Sequence, residues 1–224
     1  MIETLRFSRE SFWLKALTED FRQVVGKAIA AHGCVHIVLA GGSTPKPFYL
    51  YLSQQTLPWE QIRWWLGDER WVSPTDPASN EKMVRETLGQ GDPHFSSHFQ
   101  SWYLAQDSRE AANLYEIQLR EKVGDPPVFD LILLGVGIDG HIASLFPGTV
   151  ALKEKNHFAV AQEVPQLKAV RLTLTFPVLD RSHQLWFLAR GKEKELILNK
   201  LLARDKDLPA AQVRAIYQKL YWLL

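Results

Sequence analysis

The chain has 224 residues, of which 46% are hydrophobic and 23% are charged, with a formal net charge of +1. This length suits one large α/β domain with a full hydrophobic core, and the near-neutral charge gives no reason to expect nucleic acid as a partner. Cys34 is the single cysteine, which excludes an intrachain disulfide and favours a reducing compartment. The N-terminus lacks the apolar segment of a signal peptide, and no apolar stretch approaches the roughly 20 residues that span a bilayer. We therefore predict a cytoplasmic protein that binds neither membranes nor nucleic acid.

Strand and helix patterns alternate along the chain, without repeats or a clear linker. Apolar residues at helical spacing predict a long helix over 8–32, with Ser8 as its N-cap and Gly33 as the residue that ends it. Further helices are predicted over 45–53, 80–88, 108–123 and 192–203, with one helical turn at 177–180. Strands are predicted over 5–7, 35–39, 62–66, 101–104, 158–161, 170–175 and 184–188, with a buried strand from 131 and a loop over 89–100. The alternation predicts a single domain over 1–224, a three-layer α/β/α fold with a largely parallel, Rossmann-like sheet.

The chain is organised around the buried strand from 131 and the Gly-rich segment from Gly135 to His141 that follows it. A rigid strand that ends in a loop bearing an acid and an imidazole is where α/β enzymes place chemistry, so His141 is the candidate base. The Gly-x-Gly-x-x-Gly spacing also fits a dinucleotide-binding loop, with Glu163 as the ribose contact. Pro147 and Gly148 argue against this alternative, because a βαβ crossover needs a dozen or more residues and they leave barely two helical turns.

A second Gly-rich loop, Gly41-Gly42-Ser43-Thr44, follows a predicted strand and opens a helix. Its backbone N–H groups, its two hydroxyls and the helix N-terminus are typical of an anion site, which favours a phosphate-sized ligand over an ordinary turn. The loop lacks the Gly-Lys-Ser/Thr ending of a P-loop, and Pro45 after Thr44 does not fit a nucleophile elbow.

Three further polar groups lie near the ends of predicted elements. Gly67-Asp68-Glu69-Arg70 could be a solvated ion pair, but its position after a buried strand favours a functional role. Ser79 and Asn80 could equally cap the helix that follows them. Arg171 projects from one face of its strand, and Lys192-Glu193-Lys194 opens a helix, where the dipole disfavours cations unless they meet an anion.

Metal chemistry finds little support in the sequence. His94 and His98 have the spacing of paired ligands on a helix, but the surrounding Gly, Pro and Ser residues predict a loop. No His-Glu-x-x-His motif or cysteine cluster is present, so we predict no metal site. The eight tryptophans are more typical of a core or an interface than of a binding platform.

Taken together, these motifs resemble the 6-phosphogluconolactonase family over nearly the whole chain. The matching segments are Ala-Gly-Gly-Ser-Thr-Pro-Lys at 40–46, Gly-Asp-Glu-Arg at 67–70, Ser-Asn at 79–80, Leu-Leu-Gly-x-Gly-x-Asp-Gly-His-x-Ala-Ser-Leu-Phe-Pro-Gly at 133–148, Arg-Leu-Thr-Leu-Thr at 171–175 and Gly-x-x-Lys at 191–194. Several linked motifs in one order are more specific than any single loop. The chain departs from the family at Ile142, where threonine is usual, in a proline-rich segment reduced to Pro165, and in the tail after Val213.

The resemblance implies hydrolysis of 6-phospho-D-glucono-1,5-lactone to 6-phospho-D-gluconate, the second step of the oxidative pentose phosphate pathway. It also implies a three-layer α/β fold and no required cofactor. The expected partner is the small phosphosugar lactone itself, and we expect a monomer or a weak homo-oligomer.

The resemblance also suggests a role for each motif. His141 would activate the attacking water, Asp139 would orient His141, and Arg70 would stabilise the tetrahedral oxyanion. A helix start near His141 would favour the neutral imidazole that a base needs. The phosphate would be bound by Gly41, Gly42, Ser43, Thr44, Arg171 and Lys194, and the sugar hydroxyls by Asp68 and Asn80.

Two alternatives come from proteins that share this fold. Glucosamine-6-phosphate deaminases carry Asn-Glu in the corresponding loop, where the glutamate supports sugar ring opening. Leu145 and Phe146 stand at those positions here, which leaves the acid–base relay incomplete. A non-catalytic sugar-phosphate sensor would need an output module, and we expect none because the first predicted strand and helix begin at once.

Overall fold

Two sheets of different character organise the protein. The computed structural model describes residues 2–224. Its strands are β1 (Ile2–Phe7), β2 (Val35–Leu39), β3 (Ile62–Leu66), β4 (Asp68–Arg70), β5 (Leu131–Gly135), β6 (Ala159–Val164), β7 (Ala169–Leu174), β8 (Leu185–Arg190) and β9 (Gln218–Leu223). Six of them form a sheet in the order β1-β9-β8-β5-β2-β3, in which every neighbouring pair is parallel. β2, β3 and β5 bury nearly all their side chains, as is typical of parallel strands covered on both faces.

Helices flank the parallel sheet, which confirms the predicted α/β architecture. They are α1 (Glu10–His32), α2 (Lys46–Ser53), α3 (Asn80–Thr87), α4 (Phe95–His98), α5 (Ser108–Lys122), α6 (Phe176–Leu179), α7 (Glu195–Leu202) and α8 (Pro209–Gln212). α1 contacts β1, β2 and β9 of the parallel sheet, while α5 contacts β6 and β7. None of the helices in residues 2–224 combines the length and the apolar character needed to cross a membrane.

The long helix α1 follows the predicted amphipathic pattern. Its buried residues recur about every fourth position, from Trp13 through Leu17 and Phe21 to Val25. Gly33 ends the helix in the left-handed conformation, with φ of 83°, and its N–H donates to the Ile29 carbonyl, as predicted. The predicted N-cap was wrong. The chain stays extended through Arg9, which takes the N-cap position without a side-chain cap hydrogen bond.

The strands β6 and β7 do not belong to the parallel sheet. They form a separate antiparallel sheet with β4, in the order β4-β7-β6. Only a short turn with the 3₁₀ segment Pro165–Leu167 joins β6 to β7. A parallel pairing needs a crossover of a dozen or more residues, so this connection can form only an antiparallel hairpin. Arg171 therefore lies on the small sheet, opposite Arg70 of β4.

Two local expectations also need correction, and one further strand was not predicted. Residues 101–104 form no strand; Trp102 is fully buried and its Nε1 donates to the Leu66 carbonyl, so the apolar character of this segment reflects packing. The predicted loop over 89–100 contains α4. The unassigned C-terminal segment supplies β9, which lies between β1 and β8. Trp102 is one of six tryptophans that are fully buried, so these side chains fill the core as expected.

A buried carboxylate joins β4 to the start of α3. Glu69 is fully buried and accepts hydrogen bonds from the backbone N–H groups of Arg70, Asn80 and Glu81, at 2.7, 2.8 and 2.7 Å. The Ser79 hydroxyl donates to the same carboxylate at 3.0 Å and also caps α3. Burial raises the pKa of Glu69 to about 7, although these N–H donors oppose the shift. The buried side chain of Glu69 thus fixes β4, which carries Asp68 and Arg70, against the start of α3.

This arrangement predicts a specific pH dependence of stability. The folded-state pKa of Glu69 lies above its ordinary value of 4.5, so the folded protein holds the proton more tightly than the unfolded chain. The contribution of Glu69 to the free energy of unfolding is fully present below about pH 4.5 and is lost as the pH rises through about 7. Glu69→Gln should flatten the fall in unfolding free energy between pH 5 and 8, and should itself destabilise the fold by about 1–3 kcal/mol because an NH₂ group then faces N–H donors.

Urea unfolding at several pH values measures both effects. Glu86→Gln is the matched control, because the Glu86 side chain is 58% exposed. An identical pH slope in the parent protein and Glu69→Gln would contradict the assignment.

Candidate active site

A cleft of ≈ 450 Å³ opens where β2, β3 and β5 end. Parallel strands bring their carboxyl ends to one edge of the sheet, and the loops that follow them meet there. Ten of the eleven site residues expected from the sequence line the cleft: Gly41, Gly42, Ser43, Thr44, Asp68, Arg70, Asn80, His141, Arg171 and Lys194. The eleventh, Asp139, contacts the ring of His141. The structure thus brings the expected residues together, while the chemical role of each stays a prediction.

The first wall of the cleft is the loop between β2 and α2. The Tyr49 hydroxyl on α2 accepts a hydrogen bond from the Ala40 N–H at 2.9 Å and donates to the Ala40 carbonyl at 3.0 Å, which fixes the start of the loop. A Cβ atom on Gly41 would lie 2.2 Å from the Asn80 side chain, and Gly42 has φ of 84°. These two glycines therefore allow a close approach to Asn80 and a left-handed turn that other residues resist. α2 begins at Lys46, directly after the loop, as predicted.

The second wall is a network of buried polar groups around Asp68. The Ser144 hydroxyl donates to Asp68 Oδ2 at 2.6 Å, and Asn80 Nδ2 donates to the Asp68 carbonyl at 2.9 Å. The Ser144 backbone is held in turn by the side chains of Thr173 on β7 and Gln162 on β6. All five residues are buried, so each polar group needs such a partner. Ser144, Thr173 and Gln162 were not expected from the sequence; the position of Ser144 three residues after His141 is the one local signal for them.

His141 and Asp139 form a hydrogen-bonded pair at the third wall. His141 Nδ1 lies 2.5 Å from Asp139 Oδ1, and the same oxygen accepts from the His141 backbone N–H at 3.2 Å. A carboxylate can only accept, so Nδ1 carries the hydrogen and Nε2 of the neutral ring is left as the basic nitrogen. Burial raises the pKa of Asp139, but the hydrogen bond and charge of His141 outweigh it and hold the pKa below its usual value. Gly137 makes room for the pair, because a Cβ atom there would lie 2.0 Å from His141 Nδ1.

The segment after His141 differs from the sequence expectation in one respect. Residues 136–149 contain no helix, and Ile142 and Leu145 bridge across a tight turn in which Ala143 has φ of 47°. The expected helix start near His141 was therefore wrong, and a helix dipole has no part in its chemistry. The absence of a crossover helix in these described residues also removes the structural basis for dinucleotide binding.

Phe146 is a further residue of this wall that sequence reasoning did not assign to the site. Its ring stacks on the His141 ring with centroids 4.1 Å apart and an interplanar angle of 26°. Phe146 lines the cleft and is 8% exposed. The Phe146 carbonyl accepts from both the backbone N–H and the hydroxyl of Thr149, which fixes the turn that presents the ring.

Three cations reach the cleft without a carboxylate partner. Arg70 and Arg171 stand directly opposite each other on β4 and β7, where like charges repel. Lys194 donates from Nζ to the Val136 carbonyl at 2.8 Å and lies in a 3₁₀ turn just before α7, rather than in the α-helix itself. Among residues 2–224, none of the three forms an ion pair with a carboxylate. Burial and the charge of Arg70 lower the pKa of Arg171, so a bound anion would relieve this repulsion.

No group of three or more His, Cys, Asp or Glu side chains in residues 2–224 is arranged to hold a metal ion. His94 and His98 lie at the short helix α4 rather than in a loop, and their rings stack with centroids 5.5 Å apart.

Comparison with known proteins identifies the family. A model of the glucosamine-6-phosphate isomerases/6-phosphogluconolactonase family matches residues 9–222. A 6-phosphogluconolactonase of Synechocystis sp. is 40% identical over 208 residues, which cover 89% of this chain and 85% of the relative. A 6-phosphogluconolactonase of Thermotoga maritima is 33% identical over 226 residues, which cover 100% and 99% of the two chains.

The fold leads to the same family. The crystal structure of 6-phosphogluconolactonase from Thermotoga maritima superposes with a TM-score of 0.86 at 31% identity and covers 99% of both chains. The resemblance that the motifs indicated is thereby confirmed. The family model matches nearly the whole chain, and the relatives named 6-phosphogluconolactonase align with it over at least 85% of their own length. The chain therefore belongs to the glucosamine-6-phosphate isomerase/6-phosphogluconolactonase family.

Proposed function

We propose that this protein hydrolyses 6-phospho-D-glucono-1,5-lactone to 6-phospho-D-gluconate, with His141 as the general base. The observation that carries the proposal is a hydrogen-bonded Asp139–His141 pair beside a cleft whose three cations form no ion pair with a carboxylate of residues 2–224. The relatives named 6-phosphogluconolactonase supply the substrate class. This reaction would be the second step of the oxidative pentose phosphate pathway.

The phosphate end of the cleft is formed by the Gly41–Thr44 loop, Arg171 and Lys194. Backbone N–H groups and two hydroxyls at the start of α2 suit phosphate oxygens. A guanidinium can bind a phosphate through two parallel hydrogen bonds, and the half-buried position of Arg171 strengthens that attraction relative to open solvent. Phosphate bound here would hold the lactone ring in place for attack at C1.

The reacting end is formed by His141. Asp139 holds Nδ1, so Nε2 takes a proton from a water molecule as the water oxygen bonds to C1. The carbonyl oxygen becomes an oxyanion, for which Arg70 is the proposed stabiliser. Collapse of this intermediate breaks the bond between C1 and the ring oxygen, and the imidazolium returns its proton to that oxygen. One water is consumed, one C–O bond forms and one breaks, which yields the open-chain acid.

Aldose–ketose chemistry is the second candidate, and the cleft favours it less. Asp68 is the one carboxylate among the described residues that line the cleft, and its Oδ2 is engaged by the Ser144 hydroxyl. Deamination with isomerisation needs a further acid–base group near the sugar, whereas lactone hydrolysis needs one base and a water. The position next to the base is taken by the apolar ring of Phe146.

Parallel assays separate the proposed reaction from its alternatives. We expect acid release from 6-phospho-D-glucono-1,5-lactone well above the spontaneous background, and no ammonia from glucosamine 6-phosphate. Ammonia without lactone turnover would favour the deaminase, and saturable binding of either compound without product would favour a sensor.

Loss of the base should lower turnover far more than substrate binding. Because a positioned general base supplies about 10²–10⁴-fold, His141→Ala should reduce kcat by that order with a small change in KM. Stopped-flow or pH-stat kinetics measure both constants. His157→Ala is the control, since its side chain is 58% exposed and does not line the cleft. A His141→Ala enzyme with the parent kcat would refute the assignment.

Arg171 should act on the phosphate rather than on the lactone carbonyl. A hydrogen bond to a charged group contributes about 1.5–3 kcal/mol, so Arg171→Ala should lower kcat/KM for the phosphorylated lactone by about 10- to 150-fold. D-Glucono-1,5-lactone, which lacks the phosphate, is the matched substrate control and should be hydrolysed by parent and variant at similar rates. An equal loss on both substrates would contradict a phosphate contact.

A further inference from the structure

His141 is held on three sides in the folded protein. Asp139 occupies Nδ1 at 2.5 Å, and Gly137 lies so close that a Cβ atom there would be 2.0 Å from the same nitrogen. Phe146 covers one face of the imidazole at a centroid distance of 4.1 Å. Asp139 thus holds one edge of the ring, and Phe146 packs against one of its faces. Among residues 2–224, no hydrogen-bond partner is found for Nε2.

The burial of Phe146 is not explained by the main hydrophobic core. Phe146 is 8% exposed, yet it does not belong to the continuous core cluster. His141 is the aromatic partner of its ring. Its backbone is held by Thr149, so the ring is presented to His141 by a turn with its own hydrogen bonds.

An aromatic face has a particular effect on an imidazole that gains a proton. The π-electron face of a phenyl ring attracts a cation, so it stabilises the imidazolium more than the neutral ring. This attraction grows as the proton is transferred, and interactions that are stronger in the transition state are those that accelerate a reaction.

We infer that Phe146 is a positioning residue for His141, which fixes the plane of the imidazole and stabilises the imidazolium that forms during hydrolysis. This inference rests on the proposed function, because it assumes that His141 takes a proton from water. It does not require Phe146 to touch the substrate.

Two substitutions of Phe146 test this role, one that removes the aromatic face and one that keeps it. In Phe146→Leu the aromatic face is lost, so we expect kcat to fall about 3- to 30-fold, the range that corresponds to a cation–π contact, with KM within about twofold of the parent. The acidic limb of the pH–rate profile should move to lower pH, because the imidazolium is then less favoured. Phe146→Tyr retains the face and should restore both kcat and the profile.

Phe158→Leu is the matched control, because Phe158 is also 8% exposed and packs in the core away from the cleft. It should lower the melting temperature without moving the pH–rate profile. A Phe146→Leu enzyme with the parent kcat and profile would overturn the inference. So would a loss of kcat with an unmoved profile, or a folded Phe146→Tyr enzyme that behaves like Phe146→Leu.

A separate measurement keeps this inference distinct from the proposed function. Absence of lactone turnover in the parent protein would refute the proposed function alone. An NMR titration of the His141 ring in the parent protein and in Phe146→Leu would then still test whether Phe146 stabilises the imidazolium. A midpoint shifted to lower pH in the variant supports this role, and an unchanged midpoint overturns it.

Discussion

The parallel alignment of β2, β3 and β5 is the constraint on which the rest of the site depends. The pairing of Val38 with both Trp65 and Ile132 sets the three strands in register, so that the loops after them open at one edge of the sheet. One loop offers N–H groups and hydroxyls, the next offers Asp68 and the third offers His141. These loops are distant in the chain, and no local preference would bring them together.

A second constraint comes from the small antiparallel sheet. β4 follows β3 after a single residue, Gly67, and pairs with β7. The Gly67 N–H donates to the Leu39 carbonyl of the large sheet, and its carbonyl accepts from the Leu174 N–H of the small sheet. A Cβ atom at Gly67 would lie 3.3 Å from Val38, so the residue also suits a tight space. Gly67 therefore links the large sheet to the small sheet whose strands β4 and β7 carry Arg70 and Arg171.

The fold and the site were predictable from the sequence to different degrees. The strands over 35–39 and 62–66 appear at their predicted bounds, because strands buried on both faces leave a continuous apolar run. The Gly-rich loops were also predicted, since glycine marks sharp turns at strand ends.

The pairing partners of the strands were harder to predict. β7 has a clear strand pattern, but the pattern does not say which sheet a strand joins. The burial of polar groups was harder still to predict. In the sequence Glu69 resembles a surface acid, and only the structure shows that N–H groups at the start of α3 donate to it. The turn after His141 was misread as a helix start because its apolar residues lie close together and the left-handed Ala143 gives no sequence signal.

The position of β9 has a consequence for the order in which the protein can fold. β1 has a single neighbour in the sheet, and that neighbour is β9, so Ile2 pairs with Gln218. α1 depends on the same strand, because Trp13 Nε1 donates to the Tyr221 carbonyl at 3.3 Å. During synthesis on the ribosome the strands β2, β3, β5 and β8 can pair as they emerge, while β1 has no edge to join until residues 218–223 have left the exit tunnel. The loops around the cleft thus belong to the part of the sheet that can form first, and β1 can join the sheet only after β9 is available.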